Sequence, residues 1–144
     1  MNGILKLGLV GVITACGSAA LSQSKASSPA EQINAWCNAM VESKGTTSFD
    51  NVMSVSSLVL EQKTMMSALE AQQSLAMERY GPPDSCETID VKKVGTRHET
   101  HRILLFHEKY ASTWEFSFYK TSSAWQAVKF WFRDTVLEKQ EDPQ

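Results

Sequence analysis

The chain has 144 residues, enough for one domain with a hydrophobic core and too few for two ordinary domains. Hydrophobic residues make up 42% of the chain and charged residues 21%, a balance that favours neither an intrinsically disordered protein nor one embedded wholly in a membrane. The formal net charge of −2 provides no basic footprint, so we expect no nucleic-acid partner.

The first residues have the layout of a secretory signal. Lys6 precedes an apolar run at 7–15, which is too short to span a bilayer permanently, and small residues follow it. The segment Ile13-Thr14-Ala15-Cys16 resembles the bacterial lipobox, which implies that residues 1–16 form the signal and that Cys16 is lipidated. In the alternative, cleavage after Ser22 discards residues 1–22 and Cys16 with them.

Both alternatives predict export to the bacterial cell envelope. The first gives a protein held on a membrane by its lipid anchor, facing the periplasm or the cell surface. The second gives a soluble periplasmic or secreted protein.

The cysteine count depends on the leader. Three cysteines are an odd number, but both alternatives remove Cys16 from the folded domain. Cys37 and Cys86 remain, and we expect them to form one disulfide in an oxidising compartment. The alternatives are two buried cysteines without a bond, or a catalytic thiol, although neither residue belongs to a C-x-x-C pair.

The N-terminal half of the domain has helical patterns. Residues 17–28, rich in Ser and Ala, predict a flexible tether, and Ser28 and Glu31 have the spacing of a capping box for a helix that ends at Lys44-Gly45. Residues 48–80 predict a short helix followed by a longer one, with an apolar stripe broken by Gln62 and Gln73. We place the domain at 29–135 and a charged tail at 136–144.

The C-terminal half alternates with period two. This pattern predicts four strands, at about 87–94, 101–108, 113–120 and 125–132. The short connections predict an antiparallel meander.

Aromatic residues occupy both faces of the last predicted strand. Strict alternation places Trp125 and Trp131 on the face opposite Phe130. Helices cover only one face of a single sheet, so we predict that Trp125, Trp131 and Tyr119 form an interaction face. Its partner is a second copy of the chain or another envelope protein, or the face borders a pocket for a small apolar ligand.

No catalytic motif stands out. His98 and His101 lie three residues apart, which places them on opposite faces of a strand, so we expect no metal ion and no cofactor. Acid–base catalysis needs a carboxylate or a tyrosine, and no recognisable catalytic motif includes the candidates. These candidates are Tyr80, Asp90, Glu115 and Tyr119.

The order of elements resembles a known superfamily. The segments ERYGPPDSCETIDVKKVGTRHETHRILLFHEKY and TWEFSFYKTSSAWQAVKFWFRD are similar to those of NTF2-like or SnoaL-like α+β cone folds, including small exported bacterial domains of unassigned function. The resemblance covers about residues 30–134 and implies N-terminal helices packed on a curved four-stranded antiparallel sheet.

This superfamily holds isomerases, dehydratases and non-catalytic binding domains, so the fold does not decide the function. We expect a non-catalytic binding or protein-interaction module of the envelope. The alternatives are a small-molecule isomerase or hydratase that uses a carboxylate or tyrosine, and a purely structural envelope protein.

Overall fold

The computed structural model describes residues 27–133, which form an α+β domain. Its helices are α1 (Pro29–Glu42), α2 (Ser57–Leu60) and α3 (Lys63–Tyr80), with a 3₁₀ turn at Phe49–Asn51. Its strands are β1 (Pro83–Val94), β2 (His98–His107), β3 (Ala111–Lys120) and β4 (Trp125–Arg133). The predicted leader with Cys16, most of the predicted tether and the tail at 136–144 lie outside the described residues.

The first helix begins at the predicted capping box. The Ser28 hydroxyl accepts a hydrogen bond from the Glu31 backbone N–H at 3.3 Å, and the Glu31 carboxylate accepts one from the Ser28 N–H at 2.7 Å. The helix ends at Glu42, before the predicted stop, and the chain reverses through Lys44 and Gly45, which both have positive φ.

The region between α1 and α3 is less helical than predicted. Val55 forms a parallel bridge with Ala127 of β4, in which the Ser56 N–H donates to the Ala127 carbonyl at 2.9 Å. The Ala127 N–H in turn donates to the Ser54 carbonyl at 2.7 Å. The chain is extended here because these bonds pair it with the outer edge of β4, and valine and serine are poor helix formers.

The four strands form one antiparallel sheet in the order β1-β2-β3-β4, which confirms the predicted meander. Strand β1 begins at Pro83, earlier than predicted, and contains two register shifts. A proline is tolerated at this position because it is the first residue of an edge strand.

The core lies between the helices and one face of the sheet, which we call the inner face. Its largest fully buried side chains are aromatic: Trp36 of α1, Phe49 of the 3₁₀ turn, and Trp114, Phe116 and Phe118 of β3. The Trp36 ring lies 4.8 Å from Phe116 and 5.4 Å from Trp114, measured between centroids. These contacts fill the interior with aromatic side chains.

The predicted disulfide is present. Cys37 of α1 is bonded to Cys86 of β1, with the two Cα atoms 5.8 Å apart and 49 residues of sequence separation. Closing a loop of this length stabilises the fold by about 4 kcal/mol, because the unfolded chain loses freedom. The bond fastens the first helix to an edge strand of the sheet.

Candidate functional site

The structure does not bring the predicted interaction residues together. In β4, the register passes from Lys129 opposite Ser117 to Ala127 opposite Phe118, so one residue has no partner of its own. Because of this bulge, Trp125 lies on the inner face with Ala127 and packs against the core. The prediction that both tryptophans share one face is wrong, since it assumed strict alternation through β4.

Trp131 and Tyr119 lie on the opposite face, which we call the outer face. Trp131 pairs with Glu115, four residues along β3 from Tyr119, or about 13 Å at the rise of a strand. Each ring is covered by its own cation: the Arg133 guanidinium carbon lies 4.2 Å from the Trp131 ring centre, and that of Arg97 lies 5.0 Å from Tyr119. These are two separate cation–aromatic pairs.

The middle of the outer face is polar. The Arg102 guanidinium lies 3.4 Å from the Glu115 carboxylate, and the Thr100 and Ser117 hydroxyls are hydrogen-bonded at 3.1 Å. A partner bound on this face would meet an ion pair and hydroxyl groups. The second copy or envelope protein expected there stays a prediction.

The catalytic candidates are not assembled into one site. Glu115 is paired on the outer face, Asp90 lies opposite Arg102 on the same face, and Tyr119 is exposed there. Tyr80, at the end of α3, is on the other side of the sheet from these three residues and lines a groove described below. No acid–base pair forms from this set.

The histidines fall as the alternation predicts. His98 pairs with Tyr119 on the outer face, and His101 pairs with Phe116 on the inner face. Within residues 27–133, no three His, Cys, Asp or Glu side chains are grouped as a metal site requires.

One buried polar group on the inner face was not predicted. His107 Nδ1 lies 2.9 Å from the Gly81 carbonyl, which can only accept, so Nδ1 carries the proton. His107 Nε2 therefore accepts from the Ser112 hydroxyl at 2.8 Å, and Ser112 Oγ accepts from Trp114 Nε1–H at 3.0 Å. A Ser–His pair is the start of a nucleophilic site, but Ser112 is fully buried, so this chain of bonds joins strands rather than reaching a substrate.

Burial lowers the pKa of His107 below its ordinary value, because the charged imidazolium loses its hydration. The hydrogen bond with Gly81 and the negative charge of Asp84 oppose this change without cancelling it. His107 is therefore neutral in the folded protein at neutral pH.

A second polar group lies near the β1–β2 turn. Glu99 Oε2 is 3.0 Å from His101 Nε2, and Glu99 Oε1 is 3.0 Å from Lys93 Nζ. Burial favours the neutral carboxyl, but the hydrogen bonds and charges of His101 and Lys93 outweigh it and lower the pKa of Glu99. Alternation could have found both groups, since the odd-numbered residues from Glu99 to His107 share one face.

A groove lies between the second half of α3 and the end of β4, and we call it the α3–β4 groove. It has a volume of about 750 Å³. Its lining comprises Gln72, Leu75, Ala76, Glu78, Arg79, Tyr80, Phe132 and Arg133. Leu75 is 63% exposed and lies off the buried face of α3, a position that its sequence neighbours could have indicated, although not the groove itself.

The groove combines apolar and charged side chains. Leu75, Ala76 and Phe132 supply the apolar surface, and the charged residues of the lining are Glu78, Arg79 and Arg133, the last with its guanidinium over Trp131. Its volume is typical of sites for small molecules. With two arginines against one glutamate in its lining, the groove is chemically suited to a molecule with an apolar body and an anionic group.

Two further observations bear on function. Within residues 27–133, none of the helices has the length and apolar character that crossing a bilayer requires. Comparisons with protein-family models, with curated proteins and with solved structures find no match for this chain.

The lowered pKa of His107 predicts a pH-dependent stability. Below about pH 6.5 this histidine is protonated in the unfolded chain, whereas in the folded protein it binds a proton less readily. The free energy of unfolding therefore falls as the pH drops through that value. Urea unfolding at about pH 8 and about pH 5.5 measures the fall. His107→Gln should be less stable at pH 8 and should show a smaller fall.

His98→Gln is the matched control, because it makes the same substitution on the outer face. It should keep the wild-type fall in stability. If His107→Gln also keeps it, His107 does not cause the pH dependence.

Proposed function

We propose that this chain is a non-catalytic binding module of the bacterial envelope, with an NTF2-like fold, and that the α3–β4 groove holds its ligand. The observation that carries the proposal is an open groove of about 750 Å³ whose lining combines apolar side chains with two arginines and one glutamate. The ligand class is a small amphipathic anion, such as a medium-chain carboxylate. Its chain would cover Leu75 and Phe132, and its carboxylate would bind an arginine.

The aromatic interior supports binding over catalysis. In a cone fold, a catalytic pocket would lie between the helices and the inner face, where Trp36, Phe49 and Phe116 are packed with zero exposure. A substrate would have to displace these side chains. For the isomerase or hydratase alternative, the groove offers Tyr80 alone of the candidate acid–base residues, since Asp90 and Glu115 lie on the outer face.

The NTF2-like assignment is supported by the order of elements. Three N-terminal helices precede a four-stranded antiparallel meander, and α1 packs on the inner face of the sheet, as the resemblance implied. The curvature that defines a cone is part of the proposal.

Export is supported by the disulfide between Cys37 and Cys86, since such bonds persist in oxidising compartments and are rare in the cytosol. The lipobox-like segment ending at Cys16 adds membrane anchoring through lipidation.

The groove is tested by titrating the full chain with decanoate in a calorimeter. Leu75→Glu places a negative charge among the apolar side chains of the groove and should raise the dissociation constant at least tenfold, or about 1.4 kcal/mol. Decan-1-ol, which has the same length and no charge, should bind at least tenfold more weakly than decanoate if the arginines hold the carboxylate.

Leu58→Glu is the matched control. Leu58 lies on α2 and is 70% exposed, close to the 63% of Leu75, so the two variants add the same charge to similar surface positions. Leu58→Glu should change the dissociation constant less than twofold. Equal effects of the two variants, or no binding of decanoate at millimolar concentration, would contradict the proposal.

Anchoring is tested by intact mass. The chain expressed with its leader in a bacterial host should appear in the membrane fraction with a diacylglyceryl group on Cys16 as its first residue. Cys16→Ala should abolish the modification. Detection of an unmodified chain that begins near Gln23 would contradict lipid anchoring and would support the soluble form.

A further inference from the structure

The end of the sheet that carries the β1–β2 and β3–β4 turns, which we call the hairpin end, is a single surface. Both turns project from it because the strands alternate in direction. The turns are also joined: Arg97 Nε donates to the Lys120 carbonyl at 2.7 Å, and the Lys120 N–H donates to the Arg97 carbonyl at 2.8 Å. Side chains from all four strands therefore contribute to one surface.

This surface is strongly basic for a chain with a net charge of −2. Five of the eleven Lys and Arg residues within 27–133 lie in the last four rows of the sheet or in its turns: Lys92, Lys93, Arg97, Lys120 and Lys129. The same rows hold one carboxylate, Glu99, which is bonded to Lys93. Glu31, in the first turn of α1, is held by the Ser28 cap.

Apolar and aromatic groups accompany the cations. Val94 is 59% exposed and Tyr119 is 41% exposed, next to the turns. Lys120 Nζ lies 5.8 Å from the centre of the Trp125 ring. Lysine and arginine beside tyrosine and tryptophan are the residues that suit the headgroup region of a bilayer, where one part of each side chain is apolar and the other is polar.

The chain also enters the domain at this end. The Gln32 side-chain amide donates to the Ser27 carbonyl at 3.0 Å and to the Trp125 carbonyl at 3.1 Å, so Ser27 lies beside the start of β4. Ten residues separate Ser27 from Cys16 and span roughly 35 Å at full extension. If Cys16 is lipidated, as proposed above, the anchor keeps the hairpin end within this distance of a bilayer.

We infer that the hairpin end is the surface by which the folded domain lies on an anionic phospholipid leaflet. The cations meet the lipid phosphates, and Val94 and Tyr119 reach the headgroup region. The α3–β4 groove is near the opposite end of the sheet, where Arg133 pairs with Thr113, so it faces away from the membrane.

The inference is tested with the full chain carrying Cys16→Ala, so that no lipid anchor contributes. The probes are vesicles of phosphatidylglycerol and phosphatidylcholine, and vesicles of phosphatidylcholine alone, with binding measured by sedimentation. The protein should bind the anionic vesicles at least tenfold more strongly, and 0.5 M salt should remove the difference.

Lys92→Glu/Lys120→Glu should lower binding to the anionic vesicles at least tenfold. Lys44→Glu/Lys109→Glu is the control, because it changes the net charge equally at exposed lysines near the opposite end of the sheet, where Gly45 lies beside Pro83 and Pro83 pairs with His107. Circular dichroism checks the fold of both variants. The salt dependence of vesicle binding is measured without either lysine pair substituted, so it tests the inference even if a variant fails to fold.

Equal losses in the two variants would overturn the inference, since net charge alone would then account for binding. Binding to an acidic polysaccharide in solution, with none to vesicles, would also overturn it and indicate a polysaccharide partner. Both results are independent of the intact-mass test, because the vesicle protein lacks Cys16.

Discussion

The structure depends on the aromatic contact between α1 and the sheet. Trp36 packs on Trp114 and Phe116, and Phe49 stacks on Trp36 with centroids 5.8 Å apart, all with zero exposure. Aromatic side chains bury the largest apolar areas, so this cluster fixes where α1 lies. It also fills the space above the inner face. A ligand between the helices and the sheet would therefore have to displace these side chains, whereas the α3–β4 groove is open.

Buried glutamines connect the segments that surround this core. The Gln32 side chain bonds to Ser27, Ser54 and Trp125, and so links α1 to the extended segment and to β4. Gln73 of α3 donates to the carbonyls of Gly45 at 2.6 Å and Thr47 at 3.1 Å. Each glutamine forms hydrogen bonds with backbone groups of the connecting segments, so these segments are fixed to α1 and α3 by buried polar contacts.

Local signals in the sequence predicted a good part of this fold. The Ser28 cap, the meander and the disulfide follow from short-range spacing, periodicity and the removal of Cys16 from the cysteine count. The bulge in β4, the bridge at Val55 and the role of Gln73 depend on contacts between distant residues. Gln73 interrupts the apolar stripe in the sequence, yet in the fold it is a buried connector. The groove arises in the same way, because it forms only where α3 meets β4.

The central claim is that the interior is closed and that the α3–β4 groove is open to a ligand. Amide and indole NMR shifts during a decanoate titration test it most directly. The account predicts that the largest changes occur at the amides of residues 72–80 and 132–133, while the indole N–H signals of Trp36 and Trp114 stay unchanged. Dominant changes at those two indoles would show that the ligand enters the aromatic interior, and would contradict the account.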